Sequence, residues 1–126
     1  MLQPKAYSKE KQKVYDVKYI DFDNETLELL TEQQFDFYAH VYDFDEVEFM
    51  ENTGMKDKNG SYIYEGNIVT VNGTWNCIIE YNQSSCAFVL KSIDKRWNMG
   101  YFSNYDDIEE MLEVIGNIYE NEELLK

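Results

Sequence analysis

The chain contains one histidine, one proline and two cysteines among 126 residues, and each shortage removes a class of function. With His40 as the only imidazole, a histidine triad or general base has a single candidate, and no activated nucleophile lies near it in sequence. Set between Ala39 and Val41, it reads as a half-buried strand residue. Cys77 and Cys86 form no Cys-x-x-Cys pair and no second cluster completes a zinc site, so both read as reduced core residues. Ser84-Ser85 lacks the Gly-x-Ser-x-Gly turn of a hydrolase, and no glycine-rich phosphate loop occurs. No run approaches the roughly 18 apolar residues of a membrane span, and no apolar signal segment follows Met1-Leu2-Gln3-Pro4-Lys5. No membrane association and a cytoplasmic location are expected.

Basic residues are scarce as well: eleven Lys and Arg stand against twenty-five Asp and Glu, a net charge of −14. That balance argues against direct nucleic-acid binding, because phosphate contact needs a basic surface. Trp75, Trp97, Tyr101 and Phe102 lack the positive groove that accompanies base stacking, and core packing or subunit contact suits them better. The charge is also unevenly placed. Residues 1–18 hold five Lys against two acids, 19–51 hold eleven acids and no base, and 103–126 hold eight acids against Lys126. The groups Asp43/Asp45/Glu46 and Asp106/Asp107/Glu109/Glu110 stand out as candidate partner-binding residues. Hard oxygen ligands of this type also suit Mg²⁺ if two loops bring them together. The plainer account is a solvated acidic surface, and neither a metal nor any other cofactor is expected.

What the chain has in quantity is aromatic and β-branched residues: eleven Tyr, seven Phe and two Trp. These favour strands over a helical bundle, and Pro4 lies outside every strand candidate. Residues 14–22 and 26–30 read as a hairpin joined at Asp23-Asn24. Phe35–Tyr42 reads as a strand, and Val47–Met50 as another that leads into a Thr53-Gly54 turn. Asn59-Gly60 supplies a tight turn, Gly66 a second bend, and Ile68, Val69 and Val71 the strand beyond it. Asn72-Gly73 is the strongest hairpin signal and precedes Trp75, Cys77, Ile79 and Tyr81, which at period two should share one face. Asn82–Ser85 is a polar turn into Cys86–Leu90. Asp106–Met111 reads as a short helix capped by Ser103 or Asn104, and Val114-Ile115 as a final strand.

Asp57-Lys58-Asn59-Gly60 has the look of a calcium loop, but the register fails. Placing Gly60 at the sixth position puts Met55 at the first ligand and Gly66 at the twelfth. A hairpin turn accounts for it instead.

The stretch Thr53-Gly54-Met55-Lys56-Asp57-Lys58-Asn59-Gly60 with Ile63-Tyr64-Glu65-Gly66-Asn67-Ile68-Val69, together with Ile115-Gly116-Asn117-Ile118-Tyr119-Glu120-Asn121 and Leu124-Leu125, resembles the YopX family of bacteriophage and prophage proteins. Met55, Asn67 and Glu122 stand where that family usually has Leu, Asp and Pro. The resemblance covers most of residues 46–125. It implies a phage origin and a C-terminal barrel of SH3-like type, and it brings no established activity.

The expectation is therefore an all-β protein: an N-terminal β element over 1–50 and an SH3-like barrel over 51–126, with short helices. Enzymatic function is not expected. The leading functional reading is a non-catalytic phage accessory protein acting through protein contacts, on a basic host protein or on copies of itself as a homo-oligomer. Alternatives are an acidic inhibitor that presents carboxylates in place of DNA phosphates, and a metal-dependent hydrolase built on the carboxylate clusters.

Overall fold

The computed structural model describes residues 2–31, 40–93, 98–101 and 107–126, with side chains given for all of these except 98–101. Strands dominate, as the composition requires, and the chain divides into two compact units, Met1–Glu51 and Asn52–Lys126.

The first unit is a five-stranded antiparallel sheet of β1 (Lys5–Ser8), β2 (Lys13–Asp21), β3 (Thr26–Leu29), β4 (His40–Asp43) and β5 (Val47–Met50), in the order β4-β3-β2-β1-β5. The expected β2–β3 hairpin forms, with Ile20 opposite Leu27 and Asp21 opposite Thr26. Its core gathers Ala6, Tyr15, Val17, Leu27, Leu29, Tyr42 and Val47, with Ile20, Phe44 and Phe49 packed against them. Burying such a side chain is worth about 1.5–3 kcal/mol, so this alternation holds the sheet in register. The alternation breaks once. Val17 pairs with Leu29 but Tyr19 pairs with Glu28, so Lys18 is an extra residue and the strand bulges there. Period two would place Tyr15, Val17 and Tyr19 on one face; the bulge turns Tyr19 outward. Of the expected strand Phe35–Tyr42, residues 35–39 lie outside the described residues and His40–Tyr42 belong to β4.

The second unit holds a two-stranded ribbon, β6 (Asn52–Lys56) with β7 (Tyr62–Tyr64), and a five-stranded sheet. The sheet comprises β8 (Asn67–Val71), β9 (Trp75–Asn82), β10 (Ala87–Ser92), β11 (Asn98–Tyr101) and β12 (Leu112–Asn117), in the order β11-β10-β9-β8-β12. A four-residue helix, α1 (Ile108–Met111), precedes β12. Ile63, Val69, Val71, Cys77, Ile79, Leu90, Ile108 and Leu112 form the core. The Asn72-Gly73 turn is present with both residues at positive φ, 51° and 70°, and Thr74 N donates to Val71 O at 3.0 Å. Both φ signs are those of the hairpin turns that Asn-Gly favours.

Four expectations need correction. Thr53-Gly54 is an irregular stretch inside β6 rather than a turn: Asn52 Oδ1 accepts from Gly54 N at 2.8 Å, and Thr53 Oγ1 donates to Ile63 O at 2.7 Å. Side chains there replace ladder bonds. Cys77 is buried, but Cys86 is exposed, because it sits at φ 53° at the end of the turn and β10 starts one residue later. Trp75, Cys77, Ile79 and Tyr81 do alternate, but core packing holds only for Cys77 and Ile79, while Trp75 and Tyr81 are 47% and 43% exposed. Tyr81 packs edge-on against Phe88 instead, ring centres 5.3 Å apart. The helix begins at Ile108 after Asp107, which makes no side-chain cap bond; Ser103, Asn104 and Asp106 lie outside the described residues, as do Trp97 and Phe102.

The Asn59-Gly60 turn between β6 and β7 is built around Asp57, which is only 6% exposed. Its Oδ1 accepts from Asn59 N at 3.0 Å and Ser61 N at 2.9 Å, while Oδ2 accepts from Val114 N at 2.9 Å. Lys58 N donates to Leu112 O at 2.9 Å, and Lys58 Nζ meets Glu113 Oε2 at 2.8 Å. The turn thus covers the edge of β12 that β8 leaves open, which removes a site for unwanted strand pairing. Burial pushes the Asp57 carboxyl up, but the amides of Val114, Ser61 and Asn59 and the Lys58 ammonium outweigh it and hold it below the ordinary value.

At the far end of β12 a second polar knot forms. Asn117 Oδ1 accepts from Tyr119 N and Glu120 N at 3.0 and 2.9 Å, and Asn121 Oδ1 accepts from Asn117 N at 3.0 Å. Asn121 Oδ1 reaches this position across Gly116, where a Cβ would stand 2.6 Å from it.

Two stability predictions follow from these knots. Asp57→Ala should cost about 2–4 kcal/mol in urea unfolding at pH 7, because three amides lose a charged acceptor. Asp57→Asn should also destabilise, since its amide would turn a donor toward Val114 N or toward the turn. A folded pKa below the unfolded one makes this contribution fully present above about pH 4 and lost as pH falls through the folded value. The gap between wild type and Asp57→Asn should therefore be flat from pH 5 to 8 and narrow below pH 4. Gly116→Ala should cost about 1–2 kcal/mol by displacing Asn121. Gly116→Ala combined with Asn121→Ala should cost clearly less than the sum of the two single changes, because only the Asn121 Cβ, 3.0 Å away, is left in the way; strict additivity in the double-mutant cycle would show that the contact does not matter.

Candidate functional site

Asp43, Asp45 and Glu46 are brought together where β4 ends and a 3-10 turn, Phe44–Glu46, begins. One carboxylate oxygen from each lies within 4.8 Å of the others; Asp43 and Asp45 are exposed and Glu46 is half-buried. Part of this grouping serves the backbone: Glu46 Oε1 accepts from Asp43 N at 2.9 Å. Lys9 supplies the local counter-charge, donating through Nζ to Asp45 O at 2.9 Å and lying 3.5 Å from Glu48 Oε1. Its backbone N donates to Glu46 O at 3.1 Å. An exposed pair of this kind is worth at most about 1 kcal/mol, so Lys9 positions the turn more than it neutralises it.

The other acidic group belongs to the second unit. Asp107, Glu109 and Glu110 are exposed around the start of α1, and Asp106 lies outside the described residues. Glu110 N donates to Asp107 O at 3.0 Å, and Glu109 Oε1 stands 3.5 Å from Lys56 N. Chemically these three are a solvated helix start, with negative charge at the end where the helix dipole favours it.

The acids of the β2–β3 hairpin divide in the same way. Asp21 accepts from Asn24 Nδ2 at 2.7 Å, from Asn24 N at 3.2 Å and from Asp23 N at 3.1 Å. The Asn24 side chain and then its backbone amide are the main reasons the Asp21 carboxyl lies below its ordinary value. His40 is half-buried at the start of β4, as its sequence context suggests.

Sequence reasoning missed the outward face of β2, β3 and β4. Beyond the Lys18 bulge, Tyr19 stands opposite Glu28 and Glu28 opposite Val41, while Asp21 stands opposite Thr26 and Thr26 opposite Asp43. Tyr19 and Val41 are 57% and 59% exposed. The alternation within Thr26–Leu29 was a usable signal for Glu28, but Tyr19 needed the bulge, which no local pattern announces.

The comparisons with known proteins bear on the fold and the family. No curated protein sequence matches this chain. A solved structure, the crystal structure of protein EF1440 from Enterococcus faecalis, is similar with a TM-score of 0.66 at 22% identity, covering 98% of this chain and 97% of that one. At that identity the likeness is one of fold. The model of the YopX protein family matches residues 5–126. With nearly the whole chain matched, this protein belongs to the YopX family.

Proposed function

We propose that this YopX-family chain is a non-catalytic interaction module of phage or prophage origin that works in the bacterial cytoplasm and engages a basic protein through its acidic first unit. The observation that supports this reading is the division of labour among its polar groups. Asp57, Asn67, Asn117 and Asn121, the polar residues of the motif segments, accept hydrogen bonds from the chain's own amides. Asp45, by contrast, presents its carboxylate to solvent, and Asp43 stays exposed although its side chain also closes a capping box with Glu46, in a segment, 19–51, that holds eleven acids and no base. A field of that sign accelerates encounter with a cationic surface and selects against anionic ones.

The test is affinity capture from bacterial lysate with the full chain and with Asp43→Asn/Asp45→Asn/Glu46→Gln, a variant that keeps the Glu46 acceptor for Asp43 N. A discrete basic protein should be retained by the wild type at about 0.15 M salt, where screening acts over roughly 8 Å, and lost by the variant. Identical captures would overturn the reading. The same pair of proteins tests the metal alternative. Magnesium at millimolar concentration should leave the melting temperature of both unchanged, and a rise confined to the wild type would favour a cation site at this turn.

A further inference from the structure

We infer that the outward face of β2–β3–β4 is the docking surface of the first unit, and that its occupant is a protein segment in which Lys or Arg alternates with apolar residues. The inference rests on the interaction reading above and adds to it a place and a chemistry. Ile20, Leu27 and Tyr42 point into the core, so their neighbours Tyr19, Asp21, Thr26, Glu28, Val41 and Asp43 point out. These outward residues form two adjacent rows. One is Tyr19–Glu28–Val41, apolar at both ends with a carboxylate between; the other is Asp21–Thr26–Asp43, with acids at both ends. Residues two apart along a strand lie about 7 Å apart, so the carboxylates border the exposed Tyr19 ring and the Val41 methyls within one side-chain length. Exposed apolar groups interleaved with carboxylates offer a partner both contact area and a charge pattern to match.

Charge selects the occupant. Lys18, exposed in the bulge, is the base nearest in sequence, and none occurs from 19 to 51. A second copy would bring the same carboxylates against this face. Nucleic acid and anionic lipid would bring phosphates against it. A cationic segment meets neither obstacle: its Lys or Arg side chains reach Glu28 and Asp43, its apolar residues cover Val41, and a guanidinium stacks on the face of Tyr19.

The test uses the full chain and a labelled octapeptide of alternating Arg and Val, with an octapeptide of alternating Glu and Val as control. Fluorescence anisotropy at 0.05 and 0.15 M salt should show binding of the Arg peptide alone. Glu28→Lys should weaken it on the order of tenfold through charge reversal at the centre of the face. Tyr19→Ser/Val41→Ser, which alters outward side chains only, should weaken it while leaving the net charge intact, and Glu109→Lys/Glu110→Lys in the second unit should leave it unchanged. Amide shifts in nitrogen-15 spectra should cluster on β2, β3 and β4. Equal loss in Glu28→Lys and Glu109→Lys/Glu110→Lys, no effect of Tyr19→Ser/Val41→Ser, or no binding of the Arg peptide would overturn the assignment. A basic protein captured from lysate equally by wild type and Glu28→Lys would overturn this surface while sparing the interaction reading.

Discussion

The carboxylate of Asp57 is the interaction on which the second unit depends. It lies at a turn whose two strands, β6 and β7, make only a short and irregular ladder, with Asn52 paired to Tyr64 and Lys56 to Tyr62. Such a ribbon is not stable alone in water. Its anchor is the reach of Oδ2 to Val114 N and of Lys58 N to Leu112 O, which fastens the ribbon to the last strand of the sheet. That fastening holds Ile63 and Met55, one on each strand of the ribbon, against the core of Val69, Val71, Ile79 and Leu112. A single side chain therefore couples a local turn to a contact 57 positions away, and hydrogen bonds to a charged acceptor are the strong members of their class.

The parts of the fold legible from sequence are those whose cause is local. Asn72-Gly73 and Asn59-Gly60 carry their own φ requirement, so both turns stand where the residues predict them. Thr26–Leu29 and Val47–Met50 carry apolar residues at core positions, and both are strands. Where the cause is a partner strand, the pattern is silent. The Lys18 bulge and the one at Ile115, where Val114 pairs with Val69 but Gly116 with Ile68, each shift the inward phase by one residue. Asp57 was legible as a turn residue, because an Asx turn uses the amide two residues on, here Asn59 N, but not as a clamp, because Val114 is distant in sequence. For the candidate site, Asp43, Asp45 and Glu46 do come together, since three acids within four positions can hardly avoid it on a 3-10 turn. The Tyr19–Glu28–Val41 row joins three strands and was out of reach for the same reason as the bulge.

The distinction between carboxylates that accept backbone amides and carboxylates that face solvent clarifies what the net charge of −14 means. Asp57, Asp21 and Glu46 take part in folding, and their charge is partly offset by the N–H dipoles they hold. Asp16, Glu48, Glu80 and Glu113 each stand beside a lysine, and the net excess of acid that is left opposes compactness through self-repulsion. On the first sheet Glu28 and Asp43 stand in rows beside exposed Tyr19 and Val41, the arrangement on which the proposed recognition surface rests.

Asn67 shows how the same distinction applies to a family motif. The position is buried, and its Oδ1 accepts from Tyr64 N at 2.8 Å, closing the bend at Gly66 that leads into β8. What the bend needs is an acceptor oxygen on a short side chain. Asp and Asn both provide one, so the Asn here in place of the family's usual Asp preserves the geometry and dispenses with a buried charge. The opposite holds at Asp57, where both oxygens accept and three amides converge; there an amide side chain would present a donor to a donor. Two motif positions of similar appearance thus tolerate different substitutions, and the number of converging N–H groups, rather than the residue type, decides which.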